Sequence, residues 1–195
     1  MNNGDGLRVV LWLSGCSHHC YNCQNPQTWN ANSGILFDDS AKEELFRELD
    51  KDYISGLTLS GGDPLHEANL DSVLDLVTEI NKQYNTPQDI VPQDNINHNI
   101  LNENADKTHL LLPTKSIWLY SGYTWEQIFT DGVFLTKDCA GWKRREIVKQ
   151  CNVLVDGRYI DSERDISLKW RGSKNQRVID CQQSLQQNGI VLYCD

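Results

Sequence analysis

No stretch of this 195-residue chain is apolar for long enough to cross a membrane. The opening Met1-Asn2-Asn3-Gly4-Asp5-Gly6 has neither a basic region nor a hydrophobic run, which predicts that it is not a secretory signal. Positive charge is scarce: 18 Lys and Arg stand against 27 Asp and Glu, a formal net charge of −9. A chain of that balance lacks the electrostatic footprint of a nucleic-acid binder. Neither nucleic acid nor membrane is expected as a partner. Seven cysteines without a signal predict a reducing cytoplasm rather than a disulfide framework. The length predicts one domain over residues 1–195, with a substantial core.

The chemistry is concentrated in Gly15-Cys16-Ser17-His18-His19-Cys20-Tyr21-Asn22-Cys23. Spacings of three and then two residues bring three thiolates to one point. A four-iron cluster normally takes four cysteines. With three, one iron keeps an open position for a small molecule, so the loop reads as a reaction site more than an electron wire. A zinc site is the competing reading, with His18 or His19 as fourth ligand, although zinc frameworks mostly pair such a motif with a second, distant one. A disulfide with a spare thiol is the other. Cys139, Cys151, Cys181 and Cys194 are widely spaced and make no second cluster motif. They are expected as buried thiols acting as small apolar residues.

Hydrophobic pattern and turn residues place this loop in a fold. Leu7 to Leu13 reads as a buried strand feeding it. Ser40-Ala41-Lys42-Glu43 is a capping box for a helix to about Lys51. Gly56 to Ser60 is a strand ending in Gly61-Gly62. Leu70, Val73, Leu74, Val77 and Ile80 recur at helical spacing. Further strands are expected at Ser116–Tyr120, Asn152–Val155, Val178–Ile179 and Ile190–Tyr193. Thr124-Trp125-Glu126-Gln127 caps one more helix, and Cys181–Gln187 forms another. This alternation predicts an α/β fold with about six mostly parallel strands. A closed eight-stranded barrel takes about 250 residues, so an open, incomplete (β/α) barrel fits better. Ligands gather at the carboxyl ends of such strands. The cysteine loop, Gly61-Gly62, Gly122 and Asp156-Gly157 all follow strands and fall at that end. Residues 85–114 break the pattern. They are rich in Asn, Asp and Gln and are expected as a polar surface insert.

A second signal is Ser60-Gly61-Gly62-Asp63-Pro64. Two glycines after a strand let a backbone approach a ligand with no side chain between them. Alone the string is weak, since most such strings are plain turns. The cysteine loop followed by this motif resembles the radical S-adenosylmethionine (SAM) superfamily. Cys23-Gln24-Asn25-Pro26-Gln27-Thr28-Trp29, Leu119-Tyr120-Ser121-Gly122-Tyr123, Val153-Leu154-Val155-Asp156-Gly157 and Trp170-Arg171-Gly172-Ser173-Lys174-Asn175-Gln176-Arg177 narrow the likeness. In that order they resemble the activating proteins of the anaerobic ribonucleoside-triphosphate reductase. Asn3-Gly4-Asp5-Gly6-Leu7-Arg8 resembles the start of that family with its proline missing, and Asn22 stands where the family usually has Gly.

The resemblance implies a barrel of the radical SAM type. It implies a 4Fe-4S cluster on Cys16, Cys20 and Cys23, and S-adenosyl-L-methionine against Asn22, Gln24, Gly61 and Gly62, with Ser60, Asp63 and Ser121 as further contacts. The reaction implied is cleavage of SAM to methionine and a 5′-deoxyadenosyl radical, which takes hydrogen from a glycine of the large reductase subunit. A reduced flavodoxin- or ferredoxin-like protein is the implied electron donor. No general base is required. Arg171, Asn175, Gln176 and Arg177 could dock the partner or hold the SAM carboxylate, and could equally be caps and ion pairs. A small radical SAM enzyme acting on a purine-like or deazapurine molecule, and a zinc-binding module, remain alternatives.

Overall fold

The computed structural model describes residues 3–86, 114–129 and 139–194. Five strands form one sheet in sequence order: β1 (Arg8–Leu13), β2 (Gly56–Gly61), β3 (Ser116–Tyr120), β4 (Val153–Asp156) and β5 (Arg177–Asp180). The first four are parallel, with Val10 beside Thr58 and Trp118 beside Val153, and β5 runs antiparallel to β4. The sheet is open. Ile190–Tyr193, expected as a further strand, contributes one bridge from Leu192 to Ile179. It leaves the left-handed Asn188 that ends the last helix, and only Val191 and Tyr193 reach the β5 backbone. Among the described residues the strands therefore number five, not about six. β1 is an edge strand, half-buried rather than enclosed.

Period-2 alternation divides the sheet's side chains between two faces. Leu57, Leu59, Ile117, Leu119, Leu154 and Ile179 point into the main core. There they meet α1 (Asp39–Leu49), α2 (Leu70–Ile80), α3 (Trp125–Phe129), α4 (Ala140–Lys149) and α5 (Cys181–Gln187). α2 buries Leu70, Val73, Leu76, Val77 and Ile80 at helical spacing, then runs into a π-helical turn, Asn81–Asn85. α1 is capped by Asp38, which accepts from the Ala41 amide at 2.9 Å, and not by Ser40. Two residues can serve here, and the carboxylate also favours the positive end of the helix. The box at Thr124 forms as read: its amide donates to Gln127 Oε1, and the Gln127 amide donates to Thr124 Oγ1.

Among the described residues no helix contributes to the cluster on the opposite face. Trp118, Val153, Val155 and Val178 form this second cluster, with Tyr120, Trp170 and Cys194 packed against it. At the amino-terminal end of the strands, Arg8 crosses this face. It donates to Thr58 Oγ1, Ser116 Oγ and the carbonyls of Leu57 and Ser116, and lies over the Trp118 ring. Burial lowers its guanidinium to about 10. The expected insert at 85–114 lies, except at its ends, outside the described residues. Asn85 Nδ2 donates to the Lys115 carbonyl at 2.9 Å and its Oδ1 accepts the Lys115 amide at 3.0 Å. No helix among the described residues is long and apolar enough to cross a membrane.

Candidate functional site

Leaving β1, the chain turns at Gly15, whose φ of 100° suits glycine. The cysteine loop closes on itself: the amides of Gly15 and Cys16 donate to the carbonyls of Thr28 (2.7 Å) and Trp29 (3.0 Å). His19 and Asn22 both adopt left-handed backbone, φ 48° and 53°. Asn is among the few side chains that tolerate that region, so the turn survives without glycine. His19 lies flat against Trp29 at 4.8 Å. Burial pushes the Cys16 and Cys20 thiols up, against the pull of backbone hydrogen bonds from His18 to Cys16 and from Tyr159 to Cys20. The Asn25 amide donates to Cys23 Sγ at 3.4 Å.

The loop after β2 is sewn to the cysteine loop by backbone. The Gly62 amide donates to the Leu13 carbonyl and the Asp63 amide to the Gly15 carbonyl, both at 2.7 Å. A Cβ on Gly62 would stand 2.5 Å from the Gly15 oxygen and 3.0 Å from that of Thr28. These glycines thus serve the approach of two protein segments, and the Gly62 and Asp63 amides are already committed. Only the remaining backbone surface of the pair is left for a ligand.

Asp63 is 1% exposed and joins three loops. Its carboxylate accepts from the Leu65 amide within its own loop and from Ser121 Oγ and the Gly122 amide after β3. Its fourth partner is His18 Nε2 in the cysteine loop, at 2.7 Å. The sequence pairs neither Asp63 nor Ser121 with His18. The structure occupies both Asp63 oxygens, and the Ser121 hydroxyl donates its proton to them.

One cavity of about 280 Å³ opens where these loops meet. Cys16, Cys20, Cys23 and Gln24 line it from the cysteine loop. Ser60, Gly61, Gly62 and Asp63 line it from β2 and its loop, and Ser121 from the loop after β3. Asn22 does not. It donates to Asp161 at 3.1 Å and faces a neighbouring hollow. Tyr21 is exposed. Further walls that the motifs did not single out for ligand contact come from Trp12, Tyr120, Arg158 and Tyr159. Their signal was available: each sits in or just beyond a strand at the carboxyl end.

Of the four residues left open at 171–177, Arg171 and Gln176 line this cavity. Gln176 also braces its own loop, accepting from the Gly172 amide and donating to the Gly157 carbonyl. Asn175 donates to the Arg158 carbonyl. Arg177 is an ion-pair anchor, bonded to Asp156 and bidentate to Glu126. It draws the Glu126 carboxyl down to about 2. Cys151 and Cys181 are buried as expected, the Cys151 thiol pushed up to about 12 by burial alone.

Buried polar atoms nearly always find partners. Among the described residues His18 Nδ1, Trp29 Nε1, Tyr120 OH and Arg171 Nε have none, and all four residues line the same cavity. A polar occupant fits that pattern. Among the described residues, no three His, Cys, Asp or Glu side chains converge closely enough for a single metal ion. Three thiols share the wall of one cavity instead, which suits a body larger than one ion. Three cysteine sulfurs are a donor set that an iron–sulfur cluster can take.

The family described as a 4Fe-4S single cluster domain matches residues 2–111 and 92–179. Curated relatives cover most of the chain. A protein of Enterobacteria phage T4 is 35% identical over 178 residues, 90% of this chain and 85% of its own length. One from Haemophilus influenzae is 31% identical over 90% of this chain and 89% of its own, and one from Escherichia coli K12 is 32% identical over 90% of each. All three are named anaerobic ribonucleoside-triphosphate reductase-activating protein. No solved structure matches.

Proposed function

This chain belongs to the family of the anaerobic ribonucleoside-triphosphate reductase-activating proteins, and we propose that it activates such a reductase as a radical SAM enzyme. The single observation that carries the reading is the sharing of one cavity by Cys16, Cys20 and Cys23, the Gly61-Gly62 loop and four unpartnered polar atoms. The chemistry supplied by the bound cluster and SAM is reductive cleavage to methionine and a 5′-deoxyadenosyl radical, which abstracts hydrogen from a glycine of the reductase.

The protein's share is position and exclusion of water. The three cysteines are the cluster ligands. Gln24, Ser60, Gly61 and Gly62 offer the SAM contacts, and Asn22 bears on the same site through the turn it makes. Asp63 and Ser121 act by holding the loops together. Tyr120 OH and Arg171 Nε offer polar groups to the cofactor's own polar atoms. The open five-stranded sheet is read as an incomplete radical SAM barrel whose free side the partner covers. The reductase subunit is the macromolecular substrate, a reduced flavodoxin- or ferredoxin-like protein the electron source, and the cytoplasm the compartment. A small-molecule substrate and a zinc module both sit poorly with the relatives' name and with the thiol arrangement.

Reduced holoprotein, SAM and the reductase should together give a glycyl-radical doublet by electron paramagnetic resonance. The doublet should be absent when either protein is omitted and absent when the reductase glycine is changed to alanine. Turnover of a small molecule with no partner would overturn the assignment.

A further inference from the structure

A second hollow, of about 890 Å³, adjoins the first. The two share Gln24, Tyr159, Arg171 and Gly172 as walls. Nothing in the reaction described above uses it. Its floor is the segment between β4 and β5, and Trp170 fixes how that segment runs. Trp170 has a left-handed backbone, φ 59°, an uncommon state for a bulky residue. It is held there edge-on against Trp118 at 5.0 Å and Tyr193 at 5.7 Å. The following residue, Arg171, lies on the boundary between the hollows.

The charges of the second hollow are not balanced in their bonding. Both carboxylates are engaged within the chain. Asp161 accepts from Tyr159 OH at 2.8 Å and from Asn22 Nδ2 at 3.1 Å. Asp165 accepts from the Ser167 amide and hydroxyl and pairs with Lys174 at 3.7 Å. These bonds hold both carboxyls below the usual range. The cations are Arg164, Lys169 and Arg171. Arg164 acts electrostatically on Asp161 without closing to an ion pair, and among the described residues neither Lys169 nor Arg171 forms a salt bridge. Beside them Ile166 is 90% exposed, and Leu168 is half-buried. Cations outside any close ion pair, set around apolar side chains, suit a chain that brings carbonyls, a carboxylate and side chains together. A polyphosphate would meet the same cations but would leave Ile166 and Leu168 without an apolar partner.

We infer that the second hollow, walled by Arg164, Ile166, Lys169 and Trp170, receives an extended, carboxylate-bearing segment of the partner polypeptide and leads its reacting glycine past Arg171 into the first. This rests on the reading that the substrate is a polypeptide. The charge-reversing double variant Arg164→Glu/Lys169→Glu tests it, since both side chains are exposed and line only the second hollow. The holoprotein is titrated with the reductase, and the glycyl-radical doublet is read against reductase concentration. SAM cleavage by the chemically reduced protein without partner is followed beside it.

The apparent KM for the reductase should rise roughly tenfold or more, with partner-free cleavage and cluster absorbance at the wild-type level. An unchanged KM would overturn the inference. So would a variant that lost affinity for a nucleoside triphosphate while keeping its KM for the reductase, since the hollow would then hold a small anion. A wild-type protein that cleaves SAM but forms no radical on the reductase would bring down the activase reading itself, and the docking inference with it.

Discussion

His18 Nε2 lies 2.7 Å from Asp63 Oδ2, and through that contact the cysteine loop is tied to the loops after β2 and β3. Asp63→Ala would remove the shared acceptor and leave the Ser121 hydroxyl, the Gly122 and Leu65 amides and the imidazole without it. Loss of such a buried network costs about 3 kcal/mol. Chemical denaturation should show that loss, and iron content after anaerobic reconstitution should fall with it. A variant with wild-type midpoint and full iron would contradict the role given to this carboxylate.

Each of Cys16→Ala, Cys20→Ala and Cys23→Ala should abolish the iron-dependent visible absorbance, because the cavity then offers two thiolates in place of three. Elemental analysis of the wild type should find about four irons per chain. Stoichiometric zinc, with no iron-dependent band after reconstitution, would instead restore the zinc reading.

Gly62→Val separates two ideas about the glycine pair. If the pair served the ligand alone, the variant would keep its cluster and lose SAM cleavage. The nearest atoms to a Cβ there are the Gly15 and Thr28 carbonyl oxygens, at 2.5 and 3.0 Å. Overpacking of this kind costs about 1–3 kcal/mol, and it falls on the stem of the cysteine loop. Iron content and cleavage should therefore fall together. Full iron with no cleavage would favour the ligand-only idea.

Glu126 is held at about 2 by its hydrogen bonds to Arg177. A folded-state value below the unfolded one stabilises the protein above the unfolded carboxylate range, and that contribution disappears as pH falls toward 2. The Glu126 side chain is 51% exposed, so the contribution is no more than about 1 kcal/mol. The stability of wild type and Glu126→Gln should converge between about pH 4.5 and 2 and differ at neutral pH. Parallel curves over that range would assign the pair no role in stability.

Replacing residues 88–108 with a short Gly/Ser linker should leave the fold and SAM cleavage intact. The reciprocal pair between Asn85 and Lys115 already holds the ends together, and closure entropy changes slowly with loop length. Circular dichroism and cleavage rate report it. Loss of the cluster in the shortened protein would show that the segment contributes to the core.

Local pattern carried much of this architecture. Gly56 to Ser60, Ser116–Tyr120 and Cys181–Gln187 fall where turn residues and periodicity put them. The Cys16, Cys20, Cys23 spacing announced its chemistry. Long-range partnership was not legible. The resemblance implies Asp63 and Ser121 as cofactor contacts, and nothing in the sequence shows that they also bond each other and that Asp63 bonds His18, across 58 and 45 residues. The sequence leaves Arg177 open between docking, the SAM carboxylate and an ion pair, and its bonds to Glu126 and Asp156 depend on β5 running antiparallel to β4. Ile190–Tyr193 has the composition of a strand, yet after the left-handed Asn188 it makes only one bridge to β5 among the described residues.

The shared carboxylate also sets an order of events at the ribosome. Cys16, Cys20 and Cys23 emerge first, while Ser121 and Gly122 follow about a hundred residues later. At translation speeds of 5–20 residues per second, the thiols wait on the order of ten seconds before the residues that fasten their loop exist. Throughout that interval they are three free thiols, open to oxidation. A growing chain that captured zinc or an oxidant in that interval would lose thiols before its sheet was complete, so synthesis rate and redox state bear on loading as well as the finished fold does.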